Sequence, residues 1–272
     1  MSLRVVLLGS GAVRPAPGRD GPAQVVEVDG EPLLFDCGRG AATNLRRAGI
    51  PPETVSRVFL THLHFDHVSD LPYFLLVTWV VGRAREVALF GPSGTKEFVE
   101  TSVRGAYDED IRSRFGHGRS PFGLNVKVTE IEKEGEVLVT ERYQVIARPV
   151  EHGGMPNLGY RVEAPGGTVV VLGDVARRQD LTEFVSGADV LLCECSGTKE
   201  FLEHPSRPWG AWHMTPEAVA SLASRARVKT VVLKHFVIED ESAIEQIGEE
   251  VRRRFAGEVL VGRDGLAIDL TE

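Results

Sequence analysis

Residues 60–70 read LTHLHFDHVSD, which places three of the chain's eight histidines within six positions, with an aspartate between the second and third. Imidazole nitrogens and carboxylate oxygens bind zinc at about 2.0–2.2 Å. A strand that ends in His-x-His aims both rings to one side, because strand side chains alternate, and His62 and His64 have that spacing. Asp66 and His67 follow where the backbone can turn and present a second pair to a neighbouring ion. Four donors in six residues exceed what one zinc ion needs and suit two adjacent sites.

Further donors stand at the ends of apolar runs. His152 lies in RPVEHGG, Asp174 ends TVVVLGD and His235 ends TVVLKHF. His213, in WHMTPEA, immediately precedes a helix capped by Thr215 with Pro216 in the first turn. Layered folds place their sites at such strand ends and helix starts. His117 and His204 lack that setting and receive no role. Cys193 and Cys195, in DVLLCECSG, face one side of a strand and read as small buried thiols rather than ligands.

The elements that must position these donors are short strands punctuated by glycine. LRVVLLG (3–9) is one, AQVVEVDG and EPLLFDCG form a hairpin about Asp29–Gly30, and VSRVFL (55–60) runs into the histidine cluster. GAATNLRRAGI reads as helix, as do LPYFLLVTWVVG, despite its β-branched residues, and SGTKEFVETSVRGAY; REVALFG returns to strand. Tyr73, Phe74 and Trp79 read as core, with the wall of an aromatic-ester pocket as the alternative. Residues 105–124 are polar and glycine-rich, a loop or lid with Phe115, Phe122 and Leu124 as substrate-facing groups. Strands resume through NVKVTEI, GEVLVT, YQVIARPV, LGYRVEA and GTVVVLGD. The last third alternates helix 177–186, strand 188–193, helix 215–226, strand 228–234, helix 240–255 and a terminal hairpin. Two β-rich runs, each followed by helices, predict a sheet-on-sheet core with helices outside. No linker or fixed-period repeat interrupts it, so residues 1–272 read as a single domain.

Composition bounds the chemistry. Hydrophobic residues make up 42% and charged ones 26%, as in an ordinary globular chain. The net charge of −8 disfavours nucleic acid as a default partner. The clusters Arg225–Arg227–Lys229 and Arg252–Arg254 read as solvated helix faces. Three cysteines cannot form a disulfide framework. No apolar run is long enough for a signal-peptide core or a membrane span, so a reducing cytoplasm is expected.

The motif HLHFDH (62–67), a histidine after a strand, an aspartate after glycine and a late histidine together resemble the signature of the metallo-β-lactamase superfamily over nearly the whole chain. The resemblance implies an αββα sandwich of α/β class with metals at one edge of the sheets. It also implies that His62, His64 and His152 hold one metal, that Asp66, His67 and His235 hold the second, and that Asp174 bridges them. LLGSGA, LLFDCGRGAATNLRRAGI and WHMTPEAVASLA resemble the ribonuclease Z branch, which includes arylsulfatase-like and small-molecule phosphodiesterase-like members. There the histidine of His-x-Thr is catalytic, which maps onto His213. With Asp174 where true β-lactamases place a cysteine, a lactam substrate is disfavoured.

Two divalent cations roughly 3.5–4 Å apart share a hydroxide released from water near pH 7 and stabilise the charge that develops on an attacked phosphorus, sulfur or carbonyl centre. Asp66 would accept the nucleophile's proton. His213 would bind the oxyanion or protonate the leaving group, roles worth about 10²–10⁴-fold. Asp36, in LFDCG, either orients a ligand histidine through its distal N–H or caps the following turn. Zinc is the expected metal; manganese and iron also suit histidine and aspartate donors.

The branch's ribonucleases insert a transfer-RNA-clasping arm between the third histidine and the bridging aspartate. GGMPNLGYRVEAPGGTVVVLG leaves no room for one, and Gly173–Asp174–Val175 lacks the branch's threonine. The leading expectation is therefore a dinuclear hydrolase of a small phosphodiester, sulfate ester or similar ester. A ribonuclease Z-type transfer-RNA 3′ endonuclease gripping RNA elsewhere, and a non-catalytic metal-containing carrier, are the alternatives. By the same resemblance the chain would form a homodimer.

Overall fold

The β-branched, glycine-bounded runs pair into two sheets. The computed structural model describes residues 2–83, 85–117 and 121–270. Among these, the first sheet contains β1 (Leu3–Gly9), β2 (Ala23–Val28), β3 (Glu31–Phe35), β4 (Arg57–Phe59), β5 (Val87–Gly91), β6 (Val126–Glu130) and β14 (Ala267–Leu270). Its order is β14-β1-β2-β3-β4-β5-β6. The second contains β7 (Gly135–Val139), β8 (Gln144–Pro149), β9 (Leu158–Ala164), β10 (Gly167–Leu172), β11 (Val190–Glu194), β12 (Thr230–Lys234) and β13 (Glu258–Val261), ordered β13-β12-β11-β10-β9-β8-β7.

The helices are α1 (Ala41–Arg47), α2 (Phe65–Val68), α3 (Leu71–Val81), α4 (Thr95–Val99), α5 (Asp108–Gly116), α6 (Lys199–Leu202), α7 (Pro216–Ala226) and α8 (Glu241–Arg252). One apolar cluster joins the first sheet to α1 and α3, and another joins the second sheet to α7 and α8. A third lies between the sheets. This is the αββα sandwich. No helix among the described residues is long and apolar enough to cross a membrane.

Between the sheets, Phe35, Phe59 and Phe90 stack with centroid separations of 4.9 Å, and Tyr160 of β9 meets Phe59 edge-on at 5.5 Å. The Tyr160 hydroxyl donates to Leu60 O at 2.7 Å, and Leu158 N donates to Thr61 O at 2.8 Å. Both bonds run from the second sheet to the segment leading into His62.

Several expectations need correction. Residues 177–186 form turns, not a helix. Asp180 accepts from both the backbone N and the hydroxyl of Thr182, at 3.0 and 2.6 Å, and such local bonds compete with helix. The final two strands are no hairpin: β13 pairs with β12 in one sheet and β14 with β1 in the other. Each four-residue strand covers an edge that would otherwise stay unpaired. Finally, 105–124 is more than a loop, since it contains α5, whose Ile111 is buried. Phe115 packs against Trp79 at 5.6 Å, and Leu124 is buried. Residues 118–120 of that stretch lie outside the described residues. Of the residues assigned to the core, Phe74 and Trp79 are buried but Tyr73 is exposed.

Phe59→Ala should destabilise the protein by about 3–5 kcal/mol in urea unfolding, because it opens a cavity in the middle of the inter-sheet stack.

Candidate metal centre

The expected donors gather at the edge where the strands of both sheets end. Asp36 follows β3, His62 and His64 follow β4, His152 follows β8, Asp174 follows β10 and His235 follows β12; Asp66 and His67 lie in α2. Parallel pairing of β3 with β4, and of β10, β11 and β12 with one another, brings those ends together. The expected strand 55–60 stops at Phe59, so His62 and His64 converge through an irregular segment rather than strand alternation.

Close backbone packing shapes that segment. A Cβ on Gly38 would lie 2.2 Å from Asp66 O, and one on Gly173 would lie 2.6 Å from Thr61 Oγ1. The glycines of FDCG and LGD are thus needed for the Asp36 and Asp174 loops to meet the histidine loop.

The donors form two groups. In the first, His62 Nε2 is 3.0 Å and His152 Nε2 3.4 Å from His64 Nδ1, with Asp174 Oδ2 3.6 Å from His152 Nε2. In the second, Asp174 Oδ1 is 3.3 Å from His235 Nε2 and 3.5 Å from His67 Nε2. Asp66 Oδ2 lies 3.4 Å from His235 Nε2. Asp174 therefore turns one oxygen to each group. Ligands about a tetrahedral zinc with 2.0–2.1 Å bonds lie about 3.3–3.4 Å apart, and the observed spacings scatter about that value. His67 Nε2, His235 Nε2 and Asp174 Oδ1 are buried without a hydrogen-bond partner. Each such atom costs about 1–3 kcal/mol, and a divalent cation at their focus would satisfy all three.

Hydrogen bonds settle which nitrogen faces inward. His67 Nδ1–H donates to Asp36 Oδ2 at 2.9 Å. His62 Nδ1–H donates to Thr61 Oγ1 at 3.0 Å, and that hydroxyl in turn donates to Asp36. His152 Nδ1–H donates to Trp212 O at 3.1 Å, and His235 Nδ1–H to Ser196 Oγ at 3.1 Å. Each leaves its Nε2 for the centre, the usual arrangement around ligating imidazoles. Asp36 and His235 hold left-handed φ values of 56° and 61°, conformations that non-glycine residues keep only under surrounding constraint.

Sequence reasoning missed Glu194, which is fully buried at the end of β11. Its carboxylate oxygens accept from His213 Nδ1–H at 3.2 Å and from Ser196 Oγ at 2.5 Å, and Oε1 accepts from the backbone N of Val175 and Met214. The signal was present, a carboxylate ending an apolar strand as Asp174 does, but the flanking cysteines drew the reading. Cys193 and Cys195 are buried free thiols facing the helix side of the sheet. The His204 ring bonds its neighbour Ser206, and neither His204 nor His117 joins the centre.

The field is strongly anionic. Burial lowers the His67 pKa, but Asp36 and Asp174 outweigh it and raise it to about 10. For His213, burial again lowers, while Glu194 and Asp174 raise it to about 9. Burial raises Asp174, yet His235 and His67 hold it well below the usual carboxylate range. Burial and the neighbouring histidines instead lower His62 and His64, so the anionic pull falls on the second donor group and His213.

A two-sheet sandwich with this donor edge is the metallo-β-lactamase fold, and the chain belongs to the beta-lactamase superfamily: residues 32–236 match the family model described as Beta-lactamase superfamily domain. It is 31% identical over 275 residues to the Ribonuclease Z of Mycobacterium bovis (strain BCG / Pasteur 1173P2), covering 96% of both chains. Among solved structures it resembles the metallo-beta-lactamase fold protein YhfI from Bacillus subtilis, with TM-score 0.77, 20% identity and coverage of 99% and 100%. Human tRNase Z, short form (ELAC1), gives TM-score 0.76 and 23% identity at the same coverage.

Asp36→Ala should weaken metal binding about 10–100-fold in a competition titration, because His67 and Thr61 lose their anchor. The His213–Glu194 pair gives a second prediction, read on metal-free protein. A histidine pKa raised from 6.5 to about 9 adds stability in full below pH 6.5 and loses it as pH rises through 9. Glu194→Gln should therefore destabilise most below pH 6.5, and its difference from wild type should shrink towards pH 9.5 in urea titrations.

Proposed function

We propose that residues 1–272 form a single dinuclear, metal-dependent phosphodiester hydrolase acting in the cytoplasm on a small ester. The observation that carries this reading is the split of Asp174 between two donor groups, with His213 held beside them by Glu194. His62, His64 and His152 would hold one cation and Asp66, His67 and His235 the other, with Asp174 between them. When bound, two zinc ions (manganese or iron also suit these donors) supply an activated water and charge neutralisation at phosphorus.

The chain's own groups supply the rest. Asp66 belongs to the second donor group and also lines the cavity, so its carboxylate would take a proton from the attacking water. His213 has Nδ1 tied to Glu194, so Nε2 is free to donate. The Glu194 carboxylate favours the protonated ring, the form needed by a group that stabilises a phosphoryl oxygen or protonates the departing one. Asp36 and Ser196 act through His67 and His235, fixing their rings.

Small size is supported by the cavity over the donors, about 760 Å³, within the usual range for small-molecule sites. The acidic chain supports it too. A second reading, a ribonuclease, is favoured by the Ribonuclease Z relatives. Their alignment, 275 residues at 96% of each chain, leaves little room for a long arm in the relative. The lack of an arm in this chain therefore does not separate the readings.

Zinc- and manganese-loaded protein should hydrolyse an aryl phosphodiester. His213→Ala should lower the rate by about 10²–10⁴-fold with metal content retained, and Asp66→Ala should lower both. Faster cleavage of a precursor transfer RNA, with a rate falling steeply as salt is added, would favour the ribonuclease. Full metal occupancy with no turnover of either substrate would leave a carrier.

A further inference from the structure

We propose that Phe65 and Trp209 are specificity-determining residues that clamp a flat aromatic ring carried on the substrate's phosphate, a proposal that rests on the phosphodiester reading. Phe65 stands between the donors His64 and Asp66, and its side chain is 65% exposed. Exposed apolar residues scattered singly need no explanation, but Phe65, Val13 and Trp209 are all exposed and all line the cavity over the donors. Phe65 also lines an adjoining recess of about 340 Å³ that shares Val13 and Asp66 with the main cavity.

Trp209 is held in place before any ligand arrives. Its indole meets His213 edge-on at 5.6 Å and Phe201 at 6.2 Å. It rides a short 3₁₀ turn, Pro208–Trp212, packed so tightly that a Cβ on Gly210 would lie 1.8 Å from Leu202 O. The adjoining walls, Met155, Pro156, Trp212 and Val237, are apolar. Histidines aside, Arg14 is the basic side chain lining the main cavity among the described residues, and Glu239 already pairs with it at 3.4 Å.

A site that anchors a phosphate at the donors and surrounds its neighbour with aromatic and aliphatic groups discriminates by ring stacking rather than by charge. Stacking of a base on aromatic side chains is sequence-tolerant and typically gives about tenfold or more in affinity. A nucleoside and a simple aryl group share this chemistry.

The test is calorimetric binding of phosphate monoesters of equal charge to zinc-loaded protein, a readout that needs no turnover. Phenyl phosphate and thymidine 5′-monophosphate should bind at least about tenfold tighter than methyl phosphate and ribose 5-phosphate. That preference should fall towards unity in Phe65→Ala and Trp209→Ala and survive in Phe65→Tyr and Trp209→Phe, with zinc content and thermal unfolding checked in each. Thymidine 5′-monophosphate binding tighter than phenyl phosphate identifies a nucleotide substrate, and equal affinities identify an aryl ester. No preference in the wild type, or one that both alanine variants retain, overturns the proposal. A failure to hydrolyse any diester would count against the phosphodiester reading alone.

Discussion

The donor groups come from both sheets, so the centre depends on how firmly the sheets are locked face to face. Asp36, His62, His64, Asp66 and His67 belong to the first sheet and its loops, and His152, Asp174, Glu194, His213 and His235 to the second. The Phe35–Phe59–Phe90 stack and Tyr160 fill the space between them. The Tyr160 hydroxyl and Leu158 N then tie the second sheet to Leu60 and Thr61, two and one residues before His62. On the other side His235 N donates to Ser10 O, which follows β1. Metal ligands must be placed to within a few tenths of an ångström, and these contacts act directly beside them.

Given that frame, the electrostatics follow from burial. Asp36, Asp174 and Glu194 are almost completely removed from water, which a carboxylate tolerates only with donors or cations around it. Asp36 has Thr61 and His67, and Glu194 has Ser196, His213 and two backbone N–H groups. Asp174 Oδ1 is buried without a hydrogen-bond partner, and it faces the unpartnered nitrogens of His67 and His235. The same burial that makes these groups costly orients the rings, since each tethered Nδ1–H commits the opposite nitrogen to the centre.

The substrate side of the centre is built differently. Its walls come from the stretch after His152, the 3₁₀ turn bearing Trp209 and Trp212, and Phe65 at the start of α2. Residues 105–124, glycine-rich and polar, suggest a lid in sequence, but α5 carries Phe115 onto Trp79 and away from the donors. Donors and cavity walls thus have different supports: the strand ends of the two sheets position the donors, and short segments between strands line the cavity above them.

Much of the donor set was legible because its residues are chemically conspicuous and close in sequence or end apolar strands, as HLHFDH, LGD and KHF do. The hairpin about Asp29–Gly30 and helices α3, α7 and α8 were legible for the same local reason, carried by turn residues, caps and apolar runs. Pairings between distant segments were not. Nothing local says that β13 and β14 part to opposite sheets or that Glu194 lies under His213, whereas the Asp180–Thr182 turn is a local feature. The sequence by itself determined which donors this protein owns and the periodicity that buries its strands. Only the tertiary structure decided which nitrogen each histidine offers, which carboxylates support them and which aromatics line the cavity, because those depend on long-range packing between sheets that no short stretch encodes.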